Sequence, residues 1–334
     1  MKRQRTIFNR ISINRILLPV LGILQIAALA SFPAAAQNFP TRPINVIYSN
    51  APGTAPDVLA RFLSIEASKI LGQPIIYENR PGANGRLGFN ALKAANGDAH
   101  TIWMVNDALV VAQPIIDPKW NIEPGKDYEP VSALFASQFV LASSTKMPFR
   151  DLKSLIAYAK ANPGKLNFAM SQGSTSQFVS ERFMKTVGIN ATLIPYKGGE
   201  LGLNATLGGQ TDMLFSTATA KSAVDSGRLI PIVTTGQERW KLFPGAPSMH
   251  EAGYSFSASV SYILLAPIGT PQPVLAKINK AYDDASRVPE VMKRTEDIGH
   301  RSTTNMSPAE VTAFIKSEIE VWTPVIRAAG IKMD

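Results

Sequence analysis

The 334-residue sequence contains no cysteine. Disulfide bonds and thiol chemistry are therefore excluded, and so is a lipid anchor on a cysteine at a signal cleavage site. Only three histidines are present, His100, His250 and His300, and they are too far apart in sequence to indicate a metal site. Charged residues make up only 18% and hydrophobic residues 45%, which predicts a chain that folds around a large core.

The common catalytic motifs are also missing. There is no Gly-x-Ser-x-Gly elbow, and no Ser-x-x-Lys stands in a suitable context. Asp57 and Asp107 could act as general bases, but no nucleophile or oxyanion partner accompanies them. We therefore expect a protein that is not an enzyme and that uses no metal or cofactor.

The first 36 residues have the layout of a Sec-type signal peptide. Basic residues lead into a mostly apolar stretch at residues 16–29, and three alanines at 34–36 follow. A membrane anchor is the alternative, but the apolar run is short for a bilayer and is interrupted by Pro19, Gly22 and Gln25. We predict cleavage after Ala36 and export to the periplasm.

Much of the positive charge belongs to this segment. The whole chain has a formal net charge of +9, but residues 1–36 hold five Lys or Arg and no acidic residue, which leaves 29 basic and 25 acidic residues. This mild remaining bias suits an anionic small ligand and is too weak to indicate nucleic-acid binding.

Strand and helix patterns alternate along the remaining chain. The predicted strands are 43–48, 74–78, 101–105, 131–143, 167–170, 191–196, 211–215 and 229–234. The predicted helices are 55–71, 87–94, 152–161, 175–187, 201–207, 218–226, 273–285, 289–298 and 308–329, the last with a capping box at Ser307 and Glu310. This order predicts two α/β units with parallel sheets, ligand sites at the carboxyl ends of the strands, and a mainly helical final third.

Residues 49–57 form a loop between the first predicted strand and its helix. The helix N-terminus and the loop N–H groups would bind an anion, with Asp57 orienting the loop or meeting an ammonium group. The residues selected as anion contacts are Ser49, Gly53, Thr54 and Ala55. A capping box between Thr54 and Asp57 that only starts the helix is the competing interpretation.

Residues 171–177 form a second loop of this kind, with more hydroxyl groups than helix capping requires. The selected ligand contacts are Ser171, Ser174, Thr175 and Ser176. A P-loop is excluded because no lysine starts the helix. Other strand ends add Asn106, Asp107 and Ser216, which could face a crevice or serve as ordinary turn residues, and Tyr196, which could stack on or hydrogen-bond a ligand.

Seven segments occur in the order found in one family. They are Arg42-Pro43-Ile44, Asp57-Val58-Leu59-Ala60-Arg61, Leu71-Gly72-Gln73-Pro74, Glu78-Asn79-Arg80-Pro81-Gly82-Ala83, Pro195-Tyr196-Lys197-Gly198, Gly208-Gly209-Gln210-Thr211-Asp212 and Leu265-Ala266-Pro267-Ile268-Gly269-Thr270-Pro271. Each is unspecific alone, but together, from about residue 40 to the C-terminus, the chain resembles the Bug-type extracytoplasmic solute receptors of tripartite tricarboxylate transporters.

The resemblance implies a type II periplasmic-binding-protein fold, in which a ligand cleft lies between two α/β lobes joined by a hinge. Lobe 1 would comprise residues 38–139 and 259–334, and lobe 2 residues 140–258. Family members hold a ligand carboxylate between the two loops selected above. The expected function is capture of a di- or tricarboxylate, aromatic acid or amino acid by hinge closure, and delivery by a monomeric receptor to membrane permease subunits.

The sequence departs from the family pattern in and near these loops. Pro56 has no N–H and restricts the residue before it, so fewer amides would reach an anion. Met170, Asp107 and Ser261 replace a small residue, a neutral polar residue and an aromatic residue, so no particular ligand is transferred. Two other functions stay open: a sensing module that signals to a membrane sensor kinase, and a periplasmic hydrolase or isomerase on the same fold.

Overall fold

The computed structural model describes residues 39–82, 85–117, 119–328 and 330, so the predicted signal peptide lies outside the described residues. The strands are β1 Ile44–Tyr48, β2 Ile75–Asn79, β3 Thr101–Asn106, β4 Tyr128–Gln138, β5 Val140–Ser144, β6 Asn167–Ser171, β7 Thr192–Tyr196, β8 Met213–Ser216, β9 Leu229–Thr234, β10 Ser259–Pro267 and β11 His300–Ser302. The helices are α1 Ala55–Leu71, α2 Arg86–Ala94, α3 Gln113–Ile116, α4 Leu152–Ala161, α5 Thr175–Val187, α6 Gly199–Gly208, α7 Lys221–Asp225, α8 Gln272–Ser286, α9 Pro289–Asp297 and α10 Pro308–Ala328. In this part of the chain, no helix has the length and apolar character needed to cross a membrane.

The first sheet has the strand order β11-β4-β10-β3-β1-β2. β1 lies between β2 and β3 and pairs with both in parallel, as the βαβαβ pattern predicts. β10 pairs antiparallel with β3 and with β4, and nearly all of its residues are buried. The carboxyl ends of β1 and β3 therefore lie at the same edge of the sheet.

The second sheet has the strand order β7-β6-β8-β5-β9. β6 pairs in parallel with β7 and β8, while β5 pairs antiparallel with β8 and β9. Phe168, Phe183 and Phe215 pack their rings together, with centroids 5.3–6.4 Å apart. This apolar cluster joins α5 to β6 and β8, and so supports the strand ends that precede the polar loops.

The chain passes between the sheets at two places. Phe139 alone separates β4 from β5, and residues 235–258 lead back from β9 to β10. Thr235 joins these crossings: its N–H donates to the Phe139 carbonyl (2.9 Å), and its Oγ1 accepts from the Phe139 N–H (2.9 Å) and donates to the Ala258 carbonyl (2.6 Å). Because Thr235 is fully buried, water does not compete for these bonds.

Helix packing on the first sheet depends on both apolar and hydroxyl groups. α1 buries Leu59, Leu63 and other residues of one face, and α8 packs against it. Ser64 of α1 hydrogen-bonds through Oγ to Tyr77 of β2 (3.1 Å) and Tyr282 of α8 (2.8 Å). The long helix α10 contacts β4 of the first sheet and α5 beside the second.

The predicted α/β class is confirmed, and α1, α4 and α5 begin and end at the predicted residues. The predicted capping box is also confirmed, because the Ser307 N–H donates to Glu310 Oε2 (2.8 Å) and the Glu310 N–H to Ser307 Oγ (3.3 Å). Two other predictions are wrong: the strand predicted at 131–143 is two strands in different sheets, and both sheets mix parallel and antiparallel pairs. The final third is mainly helical, as predicted, but it also contains β10, which was not predicted as a strand. The lobe boundaries stay a prediction.

Candidate ligand-binding cleft

Two adjoining cavities lie where strand ends of both sheets meet. The first, of about 370 Å³, is lined by residues that end β3, β6 and β8, and the second, of about 570 Å³, by the loop after β1. They share the lining residues Gly199, Glu200, Thr217, Thr219 and Tyr262. We refer to the two cavities together as the cleft.

Three helices begin at the cleft. Ala55 of α1 lines the second cavity, Thr175 of α5 lines the first, and Gly199 of α6 lines both. The first N–H groups of a helix have no partner within the helix, and the N-terminus carries a partial positive charge. Their convergence makes the cleft attractive to an anion without any cationic side chain.

The loop that precedes α5 is held in shape by its own hydroxyl groups. Ser174 Oγ donates to the Ser171 carbonyl (2.7 Å) and lies 2.9 Å from Ser176 Oγ, while the Gly173 N–H donates to Gln177 Oε1 (2.8 Å). The Ser174 side chain makes no capping bond to the helix. These hydroxyls therefore order a polar wall of the first cavity.

Asp57 holds the loop that precedes α1. Its carboxylate is buried and accepts hydrogen bonds from the Gly53 N–H (3.0 Å), Asn79 Nδ2 (3.0 Å) and Arg61 Nε (3.2 Å). Burial raises the pKa of this carboxyl, but the bonds from Asn79, Gly53 and Arg61 outweigh it and lower the pKa. Thr54 makes no side-chain capping bond, so the capping-box interpretation is wrong. Asp57 reaches Gly53 instead.

Ser49 follows β1 but lines neither cavity. Its Oγ accepts a hydrogen bond from Nε1 of the buried Trp103 (2.8 Å). A Cβ added at Gly88 would lie 2.3 Å from Trp103 Nε1 and 2.4 Å from Ser49 Oγ, so only glycine leaves room for this bond. Ser49 is thus part of the support of the first loop.

Asp107 also lines neither cavity, yet it joins elements of both sheets. Its Oδ2 accepts from the Ser261 N–H of β10 (2.8 Å), and its Oδ1 accepts from Thr175 Oγ1 of α5 (3.4 Å). Burial raises the pKa of this carboxyl to about 7, against the lowering effect of the Ser261 bond, and the charge of Glu318 raises it further. Ser261 contributes only its backbone, so this bond does not require serine.

The predicted site residues divide into two groups. Those that line the cleft are Asn106, Ser171, Ser174, Thr175, Ser176 and Ser216 in the first cavity and Gly53, Thr54 and Ala55 in the second. Those that line neither cavity are Ser49, Asp57, Asp107 and Tyr196, and Tyr196 packs against the hydrophobic core beside the second sheet.

Tyr262, Thr219 and Glu200 are among the lining residues that were not predicted from the sequence. Tyr262 belongs to β10, which was not predicted as a strand, and Thr219 belongs to a short 3-10 turn before α7. Glu200 stands in the first turn of α6. The only signal for Glu200 was the glycine pair at 198–199 directly after a strand.

The described lining of the cleft includes no Lys or Arg, and its charged side chain is Glu200. His300 lines the second cavity, where burial lowers its pKa to about 4 in spite of its bond to the Ile298 carbonyl. Its ring is therefore neutral at neutral pH. Within the described residues, no cluster of His, Asp or Glu could hold a metal ion. Backbone N–H groups, hydroxyls and amides are the groups available for recognition.

Comparison with known proteins agrees with this arrangement. The sequence model of the protein family described as tripartite tricarboxylate transporter family receptor matches residues 59–331. BugT of Bordetella pertussis is 30% identical over 321 residues, covering 95% of this chain and 98% of that protein. The solved periplasmic binding protein BugD is 27% identical with a TM-score of 0.75, covering 89% of this chain and 100% of that chain. MatC from Rhodopseudomonas palustris, solved with bound malate, is 30% identical with a TM-score of 0.73, covering 86% of this chain and 100% of that chain.

The two-sheet fold and its cleft thus define a periplasmic solute-binding receptor, and the type II binding-protein fold is confirmed. The chain belongs to the receptor family of tripartite tricarboxylate transporters, of the Bug type. This is a family of binding receptors rather than of enzymes.

Proposed function

We propose that this receptor captures a small organic carboxylate in the cleft by closing two lobes around it. The observation that carries the proposal is the convergence of the N-termini of α1, α5 and α6 on a cleft whose described lining has no Lys or Arg. Each N-terminus offers unpaired N–H groups and about half a unit of positive charge. The malate bound by MatC, which is 30% identical, supports the same ligand class.

The carboxylate would be held from two sides. Gly53, Thr54 and Ala55 would contact it from α1, and the hydroxyls of residues 171–176 from α5. Because Pro56 supplies no N–H, α1 offers fewer donors than α5. The α5 side, where Asn106 and Ser216 also line the cavity, therefore carries more of the proposed recognition.

The residues outside the cavities would position those inside. Asp57 would hold the first loop through its bond from the Gly53 N–H, Ser49 would tie that loop to Trp103, and Asp107 would orient the Thr175 hydroxyl. Tyr196 would support α6 from the core. We therefore assign these four positioning roles rather than direct ligand contacts.

The ligand would also carry a hydrogen-bond donor. Glu200 lines both cavities and repels a second carboxylate, whereas it attracts a hydroxyl or ammonium group. Asn106 Oδ1 is buried and has no donor among the described residues. A hydroxy- or amino-carboxylate suits these two acceptors better than an unsubstituted dicarboxylate.

The moving lobes would be residues 38–139 with 259–334, and residues 140–258. They would turn about the crossings joined by Thr235, and the closed, monomeric receptor would dock on permease subunits. The mature chain would begin after Ala36 in the periplasm. No covalent step, cofactor or nucleic acid takes part in this function.

Calorimetry on the mature protein tests the ligand class. We expect malate or aspartate to bind and to raise the thermal midpoint by a few degrees, because ligand at about 100 times Kd adds roughly 2.7 kcal/mol of stability. Glu200→Gln should improve binding of succinate more than that of malate. If no carboxylate binds, the proposal fails.

The partner needs a separate experiment. Membranes from the source bacterium, solubilised in detergent, would be passed over the immobilised receptor with and without its carboxylate. Permease subunits retained only with ligand would support the transport function. A sensor kinase retained instead would replace it with a sensory one.

A further inference from the structure

A third cavity, of about 500 Å³, lies beside the two crossings and has no lining residue in common with the cleft. We call it the hinge cavity, and its residues of interest are Gln138, Arg182, Gly236, Glu238, Arg301 and Glu318. Two consecutive residues at one crossing line different cavities: Gln138 lines the hinge cavity, and Phe139 lines the cleft. Side chains alternate along extended chain, so the two spaces lie on opposite faces of the crossing.

Arg182 of α5 is the principal cation of this cavity. Its guanidinium lies between two rings, with Cζ 5.0 Å from the Phe256 centroid and 5.3 Å from the Trp322 centroid. One nitrogen, Nη1, donates to the Ser257 carbonyl (3.1 Å). Burial lowers the pKa of Arg182 against the opposing effect of the Glu318 charge, and among the described residues no carboxylate lies within ion-pair distance of its guanidinium. The remaining guanidinium N–H groups are therefore suited to a bound anion.

Taken together with Arg182, the charges of the lining balance one another. Arg301 is exposed and adds a second guanidinium, while Glu238 and Glu318 add two carboxylates. Glu318 Oε2 accepts a hydrogen bond from Trp322 Nε1 (2.8 Å), which fixes the position of this carboxylate. A lining with two positive and two negative groups complements an occupant that carries both signs.

Gln138 adds an unsatisfied acceptor. Its Oε1 is buried and has no donor among the described residues. A Cβ added at Gly236 would lie 2.2 Å from this oxygen, so glycine is required for the side chain to lie where it does. A buried acceptor without a donor is unfavourable. If the Gln138 side-chain amide turned toward the cavity, an ammonium group bound there would supply the missing donor.

We propose that the hinge cavity is a second binding site, for a zwitterionic α-amino acid. Arg182 and Arg301 take its carboxylate, and Glu318 with the Gln138 amide takes its ammonium group. The walls come from α5 beside the second sheet, from β11 of the first sheet and from α10, which packs on the first sheet, so an occupant holds the two sheets at one angle. An amino acid bound in the hinge cavity therefore changes the affinity of the cleft for its carboxylate. This consequence rests on the proposed function of the cleft.

The test is calorimetry of mature wild-type protein with the neutral L-amino acids, each at up to about 10 mM, where weak binding is still measurable. For an amino acid that binds, its deaminated acid and its decarboxylated amine are tested as single-charge analogues. Arg182→Lys keeps the stacked cation but loses the planar fork, and Arg301→Gln changes an exposed residue. Arg228→Gln, another exposed arginine outside the cavity, is the matched control.

A cleft variant separates the two sites. Thr217→Asp places a carboxylate in the cleft at the N-cap of the 3-10 turn Ala218–Ala220, where aspartate is tolerated. We expect one amino acid to bind at least tenfold more tightly than either analogue. Its affinity should fall tenfold or more in Arg182→Lys and several-fold in Arg301→Gln, and should not change in Arg228→Gln or Thr217→Asp.

The proposal is overturned if no amino acid binds. It is also overturned if Thr217→Asp weakens binding while the two hinge-cavity variants do not, because the amino acid then occupies the cleft. If no carboxylate bound the cleft, the proposed function would fail, but the hinge-cavity experiment could still be interpreted because it depends on different residues.

Discussion

Asparagine in place of the buried Asp107 removes a carboxyl that joins the two sheets while keeping its shape. The folded protein raises the pKa of this group to about 7, from an ordinary value of 3.8. Between about pH 4 and 7 the folded state therefore keeps a proton that the unfolded chain has released. The free energy of unfolding falls as the pH rises through this window.

The size of the effect follows from the two pKa values. A separation of about three units, at 1.36 kcal/mol each, amounts to about 4 kcal/mol lost between pH 4 and 7. Asparagine has no such dependence, since its Oδ1 can accept the Ser261 N–H and its Nδ2 can face Thr175 Oγ1. Asp107→Asn should therefore match wild type near pH 4 and exceed it by about 4 kcal/mol above pH 7.

Urea unfolding of ligand-free protein from pH 4 to 8, followed by tryptophan fluorescence, measures this difference. His300 acts in the opposite direction, because its pKa of about 4 makes stability fall as the pH drops from 6.5 to 4. Wild type alone would conceal both effects, but the contribution of His300 cancels in the difference between variant and wild type. A difference that stays constant with pH would refute the claim that burial dominates at Asp107.

Three further substitutions test other parts of the structure. His300→Phe should gain stability relative to wild type as the pH falls from 6.5 to 4, read as the difference between the two proteins in the same titration, and a difference that stays constant with pH would contradict this role of His300. Thr235→Val leaves two buried backbone groups of the crossings without a partner and should cost about 2 to 4 kcal/mol in urea unfolding, while Thr235→Ser should cost far less; equal losses would contradict the role of the hydroxyl. Gly88→Ala should destabilise by about 1 to 3 kcal/mol through its clash with the Ser49–Trp103 bond, whereas Gly208→Ala, which has open space, should be neutral.

The elements with clear local signals were predictable from the sequence. Helices α1, α4 and α5 combine a one-sided apolar face with Gly or Asn at the end, and their bounds were correct. β10 was missed because it is buried on both faces and shows no alternation of apolar and polar residues. The crossing at Phe139 was missed for a related reason: one apolar run continues from β4 into β5 while the chain changes sheets.

Some residues of the candidate site could also be predicted from local sequence patterns, and others could not. Hydroxyls and amides at strand ends were predictable because parallel strands bring their carboxyl ends to one edge, and most of those selected line the cleft. The residues behind the cleft have hydrogen-bond partners that are distant in sequence. Asn79 is 22 residues from Asp57, Trp103 is 54 residues from Ser49, and Ser261 is 154 residues from Asp107. No local pattern indicates such long-range bonds, so residues that line the cleft and residues that lie behind it could not be told apart from the sequence.

Malate titration of the Thr217 variants tests the central claim most directly. A carboxylate within about 6 Å of the ligand's, at an effective dielectric of about 20, costs about 3 kcal/mol, or roughly a 100-fold loss of affinity. We expect calorimetry to show tight malate binding by wild type, a similar Kd for Thr217→Asn and a Kd at least tenfold weaker for Thr217→Asp. Equal affinities in all three proteins would contradict capture of a carboxylate in this cleft.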